Sequence, residues 1–264
     1  MSPNAQQATA QVIRIMPSSS SKAIGSLPVS SLNTTCSACH LRELCLPCGM
    51  TGIKIERLDE MIFTRRRIKT GQTLYRQGDN FEFIHAVRRG TLKSTLTLSD
   101  GREQVSGFHI AGEQLGLDGV ALGRHGTTVV ALEDTEVCAI PYAHVAKMTV
   151  AGSATEHLIN RLMSREIVRE HGLMMLLGSM NAEERLAAFL LNLAARLKAR
   201  GYSASEFHLR MSRAEIGSHL GMKLETVSRT FSTFQKRGLL EVDKRHISIV
   251  DPEGLSRAFE VTMH

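Results

Sequence analysis

The fold of this chain is decided by the stretch Met211-Ser-Arg-Ala-Glu-Ile-Gly-Ser-His-Leu-Gly-Met-Lys-Leu-Glu-Thr-Val-Ser-Arg229. Ser212 is a favourable N-cap, because its hydroxyl can accept a hydrogen bond from an unpaired amide in the first turn of a helix. Gly221 stands where the chain must turn, and glycine readily adopts the positive φ that such turns commonly need. The stretch therefore predicts two helices joined by a tight turn, with the second helix running from Lys223 to Lys236.

The second helix has an apolar face and a polar face. The residues expected to fill the core behind it are Ile216, Leu220, Val227, Phe231 and Phe234. The polar face offers Glu225, Ser228 and Arg229, which can bond base edges, since arginine pairs with guanine and glutamate accepts from cytosine. The pattern indicates a helix-turn-helix that binds double-stranded DNA rather than an ordinary helical hairpin with solvated charges.

Further DNA contacts are expected around this helix. Lys223, Lys236 and Arg237 carry cationic side chains of the kind that contact phosphates and set the register on the duplex. Ser212 and Arg213, at the start of the first helix, complete the expected DNA-binding set.

A second motif lies upstream, in Cys36-Ser-Ala-Cys39-His-Leu-Arg-Glu-Leu-Cys45-Leu-Pro-Cys48, and the fifth cysteine is Cys138. A two-residue gap allows both sulfurs of a pair to face one soft or borderline metal. The four clustered cysteines could hold a structural Zn²⁺, or three of them could join Cys138 around an iron–sulfur cluster. A third alternative is reduced thiols with no metal. Cys138 lies on an apolar, strand-like piece and, taken alone, is typical of a buried core cysteine.

The middle of the chain, from Lys69 to about Ala143, consists of short β-prone pieces. Leu92–Leu98 and Thr127–Leu132 are examples, and glycines separate such pieces throughout the region. Short strands with regular glycine turns predict a small barrel or roll.

The longest helix candidate spans Thr155 to Ser179. Its seam of four- and three-residue spacing consists of Met163, Ile167, Glu170, Met174 and Leu177. Such a seam is typical of a dimerising helix, although one buried face on its own domain is an alternative. Glu170 would face its symmetry mate, where like charges repel, unless its side chain reaches water at the seam's edge. We expect a weak dimer that needs another signal to form.

The predicted fold class is α+β, with an N-terminal β-roll, a long dimerisation helix and a C-terminal winged helix-turn-helix. The expected divisions, in chain order, are a flexible tail, the cysteine segment, the β-roll, the dimerisation helix and the DNA-binding domain. Their ranges are 1–33, 34–54, 55–152, 153–180 and 181–264.

Composition excludes several classes of function. The 264 residues suit two modest domains, and a net charge of +6 permits an anionic partner. No apolar run is long enough to span a bilayer, and the N-terminus lacks the apolar core of a secretory signal, so we expect a cytoplasmic protein without a membrane partner. Because the chain contains no P-loop, GxSxG or GxGxxG fingerprint, we expect that it is not an enzyme.

Several stretches resemble the CRP–FNR superfamily of bacterial transcription regulators and, within it, the oxygen-sensing FNR (fumarate and nitrate reduction regulator) branch. The resemblance covers nearly everything after the tail, and it implies that the β-roll is a sensor domain of the cyclic-nucleotide-binding type. It is carried by the cysteine segment, Lys69-Thr-Gly-Gln-Thr-Leu74, Gly107-Phe-His-Ile-Ala-Gly112, Val137-Cys-Ala-Ile-Pro141, Arg161-Leu-Met-Ser164, Asn181-Ala-Glu-Glu-Arg-Leu-Ala-Ala-Phe189 and Leu224-Glu-Thr-Val-Ser-Arg229.

The resemblance implies a [4Fe–4S] cluster bound by Cys36, Cys39, Cys45 and Cys138. Cys48 matches no ligand of the family, and His40 is not the residue expected beside the second ligand. The resemblance further implies that the cluster, assembled without oxygen, promotes a homodimer that binds TTGAT-type half-sites and controls genes of anaerobic metabolism. It also matches Glu225, Ser228 and Arg229 to the base-reading positions, and Ser99–Arg102 to a loop that contacts RNA polymerase.

The alternative within the superfamily is a CRP-like regulator with a structural zinc site or a small-molecule effector. A cAMP pocket needs an arginine and a serine on the phosphate after a Gly-Glu pair. Gly112-Glu113 is present, but Gly126-Thr-Thr-Val-Val130 contains no arginine. We therefore expect no cAMP binding.

Overall fold

The computed structural model describes residues 39–41, 44–45, 63–148 and 154–260. The expected tail and most of the cysteine segment, including Cys36 and Cys48, lie outside these residues. The described part has a β-roll, a long helix and a C-terminal domain with a helix-turn-helix, so the predicted α+β fold class is confirmed.

Eight antiparallel strands form the β-roll. They are β1 (Thr64–Ile68), β2 (Thr73–Tyr75), β3 (Phe83–Arg89), β4 (Thr91–Thr97), β5 (Glu103–Ile110), β6 (Gln114–Leu115), β7 (Thr128–Ala131) and β8 (Thr135–Pro141). They pair into two sheets, with strand orders β1-β8-β3-β6 and β2-β7-β4-β5. Val87 and Val137 from the first sheet share a buried core with Leu92 and Val129 from the second. The roll thus places β8 between β1 and β3.

One glycine permits the tightest connection of the roll. Gly90 joins β3 to β4 with a φ of 95°. A Cβ at this position would lie 2.4 Å from Oγ1 of Thr135, so any larger residue would clash as well as strain the backbone.

Helix α1 (Tyr142–Met148) follows β8 directly, and the long helix α2 (Ala154–Ser179) comes next. The first turns of α2 are buried through Leu158 and Leu162, which pack with Ala86, Ile140 and Val145. Further along, Ile167 is 56% exposed and Met174 is 67% exposed. These two seam side chains are largely exposed in the described part of the chain.

The other seam residues have mixed surroundings. Met163 and Leu177 are half-buried, and a Cβ added at Gly221 would lie 3.3 Å from the Leu177 side chain, so Leu177 also packs within its own chain. Glu170 is exposed, with Nη2 of Arg169 lying 3.9 Å from its carboxylate. The dimer seam remains a prediction.

The C-terminal domain contains four helices and a three-stranded sheet. In chain order these are α3 (Ala182–Lys198), β9 (Glu206–His208), α4 (Arg213–Leu220), α5 (Leu224–Lys236), β10 (Leu240–Asp243), β11 (His246–Ile249) and α6 (Pro252–Glu260). Asn181 caps α3 in a reciprocal capping box with Glu184. The five residues predicted to fill the core behind the recognition helix are each at most 1% exposed.

Candidate DNA-reading and cysteine sites

The first helix of the helix-turn-helix is capped by its own side chains. The Ser212 hydroxyl accepts from the Glu215 amide at 3.2 Å, and the Glu215 carboxylate accepts from the Ser212 amide at 2.7 Å. Gly221 has a φ of 62°, as the sequence predicted for the turn. A Cβ at Gly217 would lie only 2.6 Å from the Met222 carbonyl oxygen, so the helix and the turn pack in direct backbone contact.

Helix α5 turns its predicted reading residues away from the core. Glu225 and Arg229 are exposed and Ser228 is half-buried, while Val227 and Phe231 are buried on the opposite face. An amphipathic helix placed in this way can enter a major groove with its polar face first. Lys223, just before the helix, is also exposed.

The two predicted contacts at the start of α4 also serve the fold. The Ser212 hydroxyl donates to the Glu215 carboxylate at 2.9 Å as part of the capping box. The Arg213 guanidinium lies 5.0 Å from the centre of the Phe231 ring, in a cation–π contact. Ser212 therefore caps α4, whereas Arg213 links α4 to α5 through the Phe231 ring.

Cys138 lies in β8, opposite Arg65 of β1 and Ala86 of β3. Cys45 and Cys138 both pack against the apolar cluster that contains Leu158 and Leu162. Two of the four predicted ligands thus border the same apolar cluster at the start of α2.

Cys39 is the third predicted ligand within the described residues. Burial raises the pKa of the Cys138 thiol to about 11; Arg65 opposes this shift and Cys39 adds to it. Cys39, Cys45 and Cys138 nevertheless do not converge on a point that could hold a metal ion. Cys36 lies outside the described residues.

The charges around Cys138 form a group that sequence reasoning missed. Glu136 pairs with Arg88 at 2.7 Å and with Arg65 at 3.8 Å. The Nε atoms of Arg65 and Arg88 are buried, and neither has a hydrogen-bond partner among the described residues. Buried donors of this kind normally have an acceptor. An anionic group held by Cys138 and its neighbours would supply that acceptor and balance both cations.

The donor set agrees with an iron–sulfur cluster bound by thiolates, because such a centre is anionic and is tuned by nearby charge and hydrogen bonds. Within the described ranges, no three His, Cys, Asp or Glu side chains converge on a point that could hold a metal ion. The described cysteines thus do not form a metal site by themselves. The only local signal for the cations was the run Arg65-Arg-Arg67, and no signal pointed to Arg88 or Glu136.

The region matched to the phosphate of a cyclic nucleotide is occupied by a carboxylate. The Asp118 side chain accepts hydrogen bonds from the amides of Gly126 and Thr127 at 2.8 and 3.0 Å. It also accepts from the Thr127 hydroxyl at 3.0 Å. These donors are already engaged by an acid, an arrangement unfavourable to a phosphate.

The part of the chain that the structure covers holds no helix with the length and apolarity needed to cross a bilayer.

Two family models match the chain. Residues 65–151 match the cyclic nucleotide-binding domain, and residues 184–258 match the Crp-like helix-turn-helix domain. Among solved structures, that of FixK2 from Bradyrhizobium japonicum covers 75% of this chain and 98% of its own, with 29% identity and a TM-score of 0.70.

Named relatives cover most of the chain. The transcriptional regulatory protein btr of Bordetella pertussis is 44% identical over 88% of this chain and 96% of its own length. The transcriptional activator protein FnrA of Stutzerimonas stutzeri is 43% identical over 83% and 90%. The fumarate and nitrate reduction regulatory protein of Shigella dysenteriae is 38% identical over 84% and 89%. These relatives are regulators and not enzymes. Their shared length and the paired sensor and DNA-reading domains show that the chain belongs to the CRP/FNR family of transcription regulators.

Proposed function

We propose that this chain is an oxygen-responsive transcription regulator in which a [4Fe–4S] cluster controls dimerisation and sequence-specific DNA binding. The observation that carries the proposal is the pair of buried Nε donors of Arg65 and Arg88, which have no hydrogen-bond partner among the described residues, with Arg65 opposite Cys138 in the sheet. Relatives named as fumarate and nitrate reduction regulators support the same function.

The proposed ligands are Cys36, Cys39, Cys45 and Cys138. When bound, the cluster supplies an oxygen-labile centre. The arginines at positions 65 and 88 offset its negative charge and donate hydrogen bonds towards it, which favours retention of an anionic group in a half-buried pocket.

The pocket adjoins the proposed dimerisation helix. Cys45 and Cys138 contact the same apolar cluster as Leu158 and Leu162, which belong to the first turns of α2. Cysteines that hold the loop against this cluster therefore stabilise the start of α2. When the loop is released, the support weakens and repulsion between the Glu170 carboxylates of two subunits favours monomers.

The proposed DNA site follows from the exposed face of α5. Glu225, Ser228 and Arg229 read bases of TTGAT-type half-sites, and Lys223 contacts phosphate. Regulators of this family bind DNA as dimers and act with RNA polymerase. We assign this chain the same partners, a cytoplasmic location and the control of anaerobic metabolism genes.

The decisive experiment is to purify the protein anaerobically and record its absorption spectrum, iron, sulfide and sedimentation before and after exposure to air. We expect a broad band near ~400–420 nm, as for thiolate-bound clusters, which bleaches in air together with loss of dimer. A colourless protein with one zinc per chain, unchanged by air, would instead establish a structural zinc site completed by Cys48.

A further inference from the structure

The DNA-binding domain is docked on the β-roll of its own chain. The Val105 amide of β5 donates to the Ser218 hydroxyl of α4 at 2.9 Å. The Phe108 ring of β5 lies 5.3 Å from the ring of His219 and 5.9 Å from that of Phe189. Val105 and Phe108 are buried in the same apolar cluster as the core of the DNA-binding domain, so the two domains share a continuous core.

One carboxylate of the β-roll, that of Glu113, pairs with two arginines of the DNA-binding domain. Glu113, in the loop after β5, accepts from Arg196 Nη2 at 2.6 Å and from Arg200 Nη2 at 2.9 Å. The side chains of Glu113, Arg196 and Arg200 are only 20%, 23% and 7% exposed. Arg196 also donates to the Phe108 carbonyl at 2.6 Å, and Arg200 donates to the Ala111 carbonyl. These hydrogen-bonded, partly desolvated ion pairs are of the stronger kind.

A second ionic contact reaches the helix-turn-helix itself. Lys93 of β4 lies 2.7 Å from one carboxylate oxygen of Glu215, while the other oxygen completes the N-cap of α4. The β-roll therefore forms ion pairs with both α3 and the first turn of α4.

The surface of the DNA-binding domain that contacts the β-roll is separate from the surface predicted to contact DNA. Docking uses α3 and α4, whereas Glu225 and Arg229 on α5 stay exposed. The docked orientation thus leaves the recognition helix free to enter a groove. It also fixes the direction in which the helix is presented.

We propose that Glu113 is a positioning residue for DNA binding, which by holding Arg196 and Arg200 sets the angle between sensor and reader in each subunit. A dimer must place two recognition helices in half-sites about one helical turn apart. The second half-site is bound intramolecularly, and its effective concentration falls when the linkage becomes loose. The inference rests on the dimeric DNA binding of the proposed function, so the duplexes are tested with anaerobically purified protein.

The test compares Glu113→Gln with the wild-type protein on three duplexes. These carry a palindrome of two TTGAT half-sites, the same palindrome with its spacer lengthened by one base pair, and a single half-site. We expect the variant to lose about tenfold in affinity for the palindrome, to discriminate less between the spacings, and to keep its single-site affinity. The matched control is Asp134→Asn, which removes an exposed ion pair with Lys69 in the same domain and should behave as wild type.

A second measurement follows docking without DNA. Hydrogen exchange at the Val105 amide, which bonds across the interface, should be faster in Glu113→Gln and unchanged in Asp134→Asn. Exchange as slow as in wild type would overturn the proposal, even if the half-site sequence or the cluster were assigned wrongly.

A double-mutant cycle separates positioning from a general loss of structure. If Glu113 acts through Arg196, then Arg196→Gln should have a similar effect, and the double variant should be no worse than either single variant. Fully additive losses, or an equal fall in affinity for all three duplexes, would refute the assignment.

Discussion

The helix-turn-helix differs from the group around Cys138, which consists of Arg65, Arg88 and Glu136. The difference lies in how many of the buried polar groups have hydrogen-bond partners. In the helix-turn-helix, Ser212 and Glu215 satisfy each other's polar groups, and Phe231 and Phe234 are at most 1% exposed. Around Cys138, the buried Nε donors of Arg65 and Arg88 have no hydrogen-bond acceptor among the described residues, although both side chains pair with Glu136. The polar groups of the helix-turn-helix cap are thus paired. The group around Cys138 instead retains buried donors, unpaired among the described residues, that can bind an anionic group.

Replacement of Cys138 by alanine tests this contrast most severely. Because the proposed ligand in β8 would be lost, we expect the anaerobically purified variant to contain iron close to background. The DNA-binding domain should stay folded and bind a single half-site. Iron and sulfide assays with circular dichroism provide the readout. Cys48→Ala is the matched control and should retain its iron. The ligand assignment would be wrong if Cys48→Ala lost iron and Cys138→Ala kept it.

The helix-turn-helix should instead be destabilised by substitutions that create cavities in its core. Phe234→Ala removes a fully buried ring, and such changes cost about 3–5 kcal/mol. Urea unfolding followed by helical circular dichroism measures this loss. Leu122→Ala, at a side chain 82% exposed, should change the free energy of unfolding by less than about 0.5 kcal/mol. Equal effects of the two changes would show that the core of the reader is not tightly packed.

The interface between the domains gives a pH dependence of known sign. Burial lowers the pKa of His219 to about 4, and Arg169 of α2 and Arg196 of α3 add to the effect. His109 and the rings of Phe108 and Phe189 also face it. The unfolded chain therefore binds the proton first, so stability is complete above about pH 6.5 and falls as the pH drops towards 4.

Comparison with His219→Leu isolates this group, since other buried histidines titrate in both proteins. From about pH 7 to pH 5, wild type should lose about 2 kcal/mol more of its free energy of unfolding than the variant. Denaturant titrations across this range measure the difference. Parallel pH profiles would contradict the buried, neutral state of His219.

Substitutions on the reading face of α5 should change DNA binding without disturbing the core. Arg229→Ala should reduce discrimination between cognate and mutated half-sites by about 1–3 kcal/mol. Lys223→Ala should weaken binding to both sequences equally and lower the slope of the salt dependence by about one. Anisotropy titrations at several salt concentrations distinguish the two. Unchanged discrimination in Arg229→Ala would remove this residue from the base-reading set.

The parts of the molecule that could be predicted from sequence are those with local signals. The cap at Ser212, the turn at Gly221 and the helix over 182–198 depend on residues within a few positions of one another. The glycine-punctuated strands of the roll were recognisable for the same reason.

The parts that could not be predicted depend on distant pairs. Arg200 and Glu113 are 87 positions apart, and neither belongs to a pattern that names the other. Arg88 and Glu136 likewise meet only because β3 and β8 are neighbours in the sheet. The spacing of Met163, Ile167 and Met174 defined a helix face but not what covers it.

The docking of β5 on α4 also has a consequence for how the protein is made. Val105 and Ser218 are 113 positions apart, so the roll is synthesised long before its partner surface. At ~5–20 residues per second, the apolar side chains of Val105 and Phe108 wait roughly 6–23 s for α4 to emerge. During that interval the nascent chain exposes an apolar strand face. A truncated chain that ends before α4 leaves this face exposed.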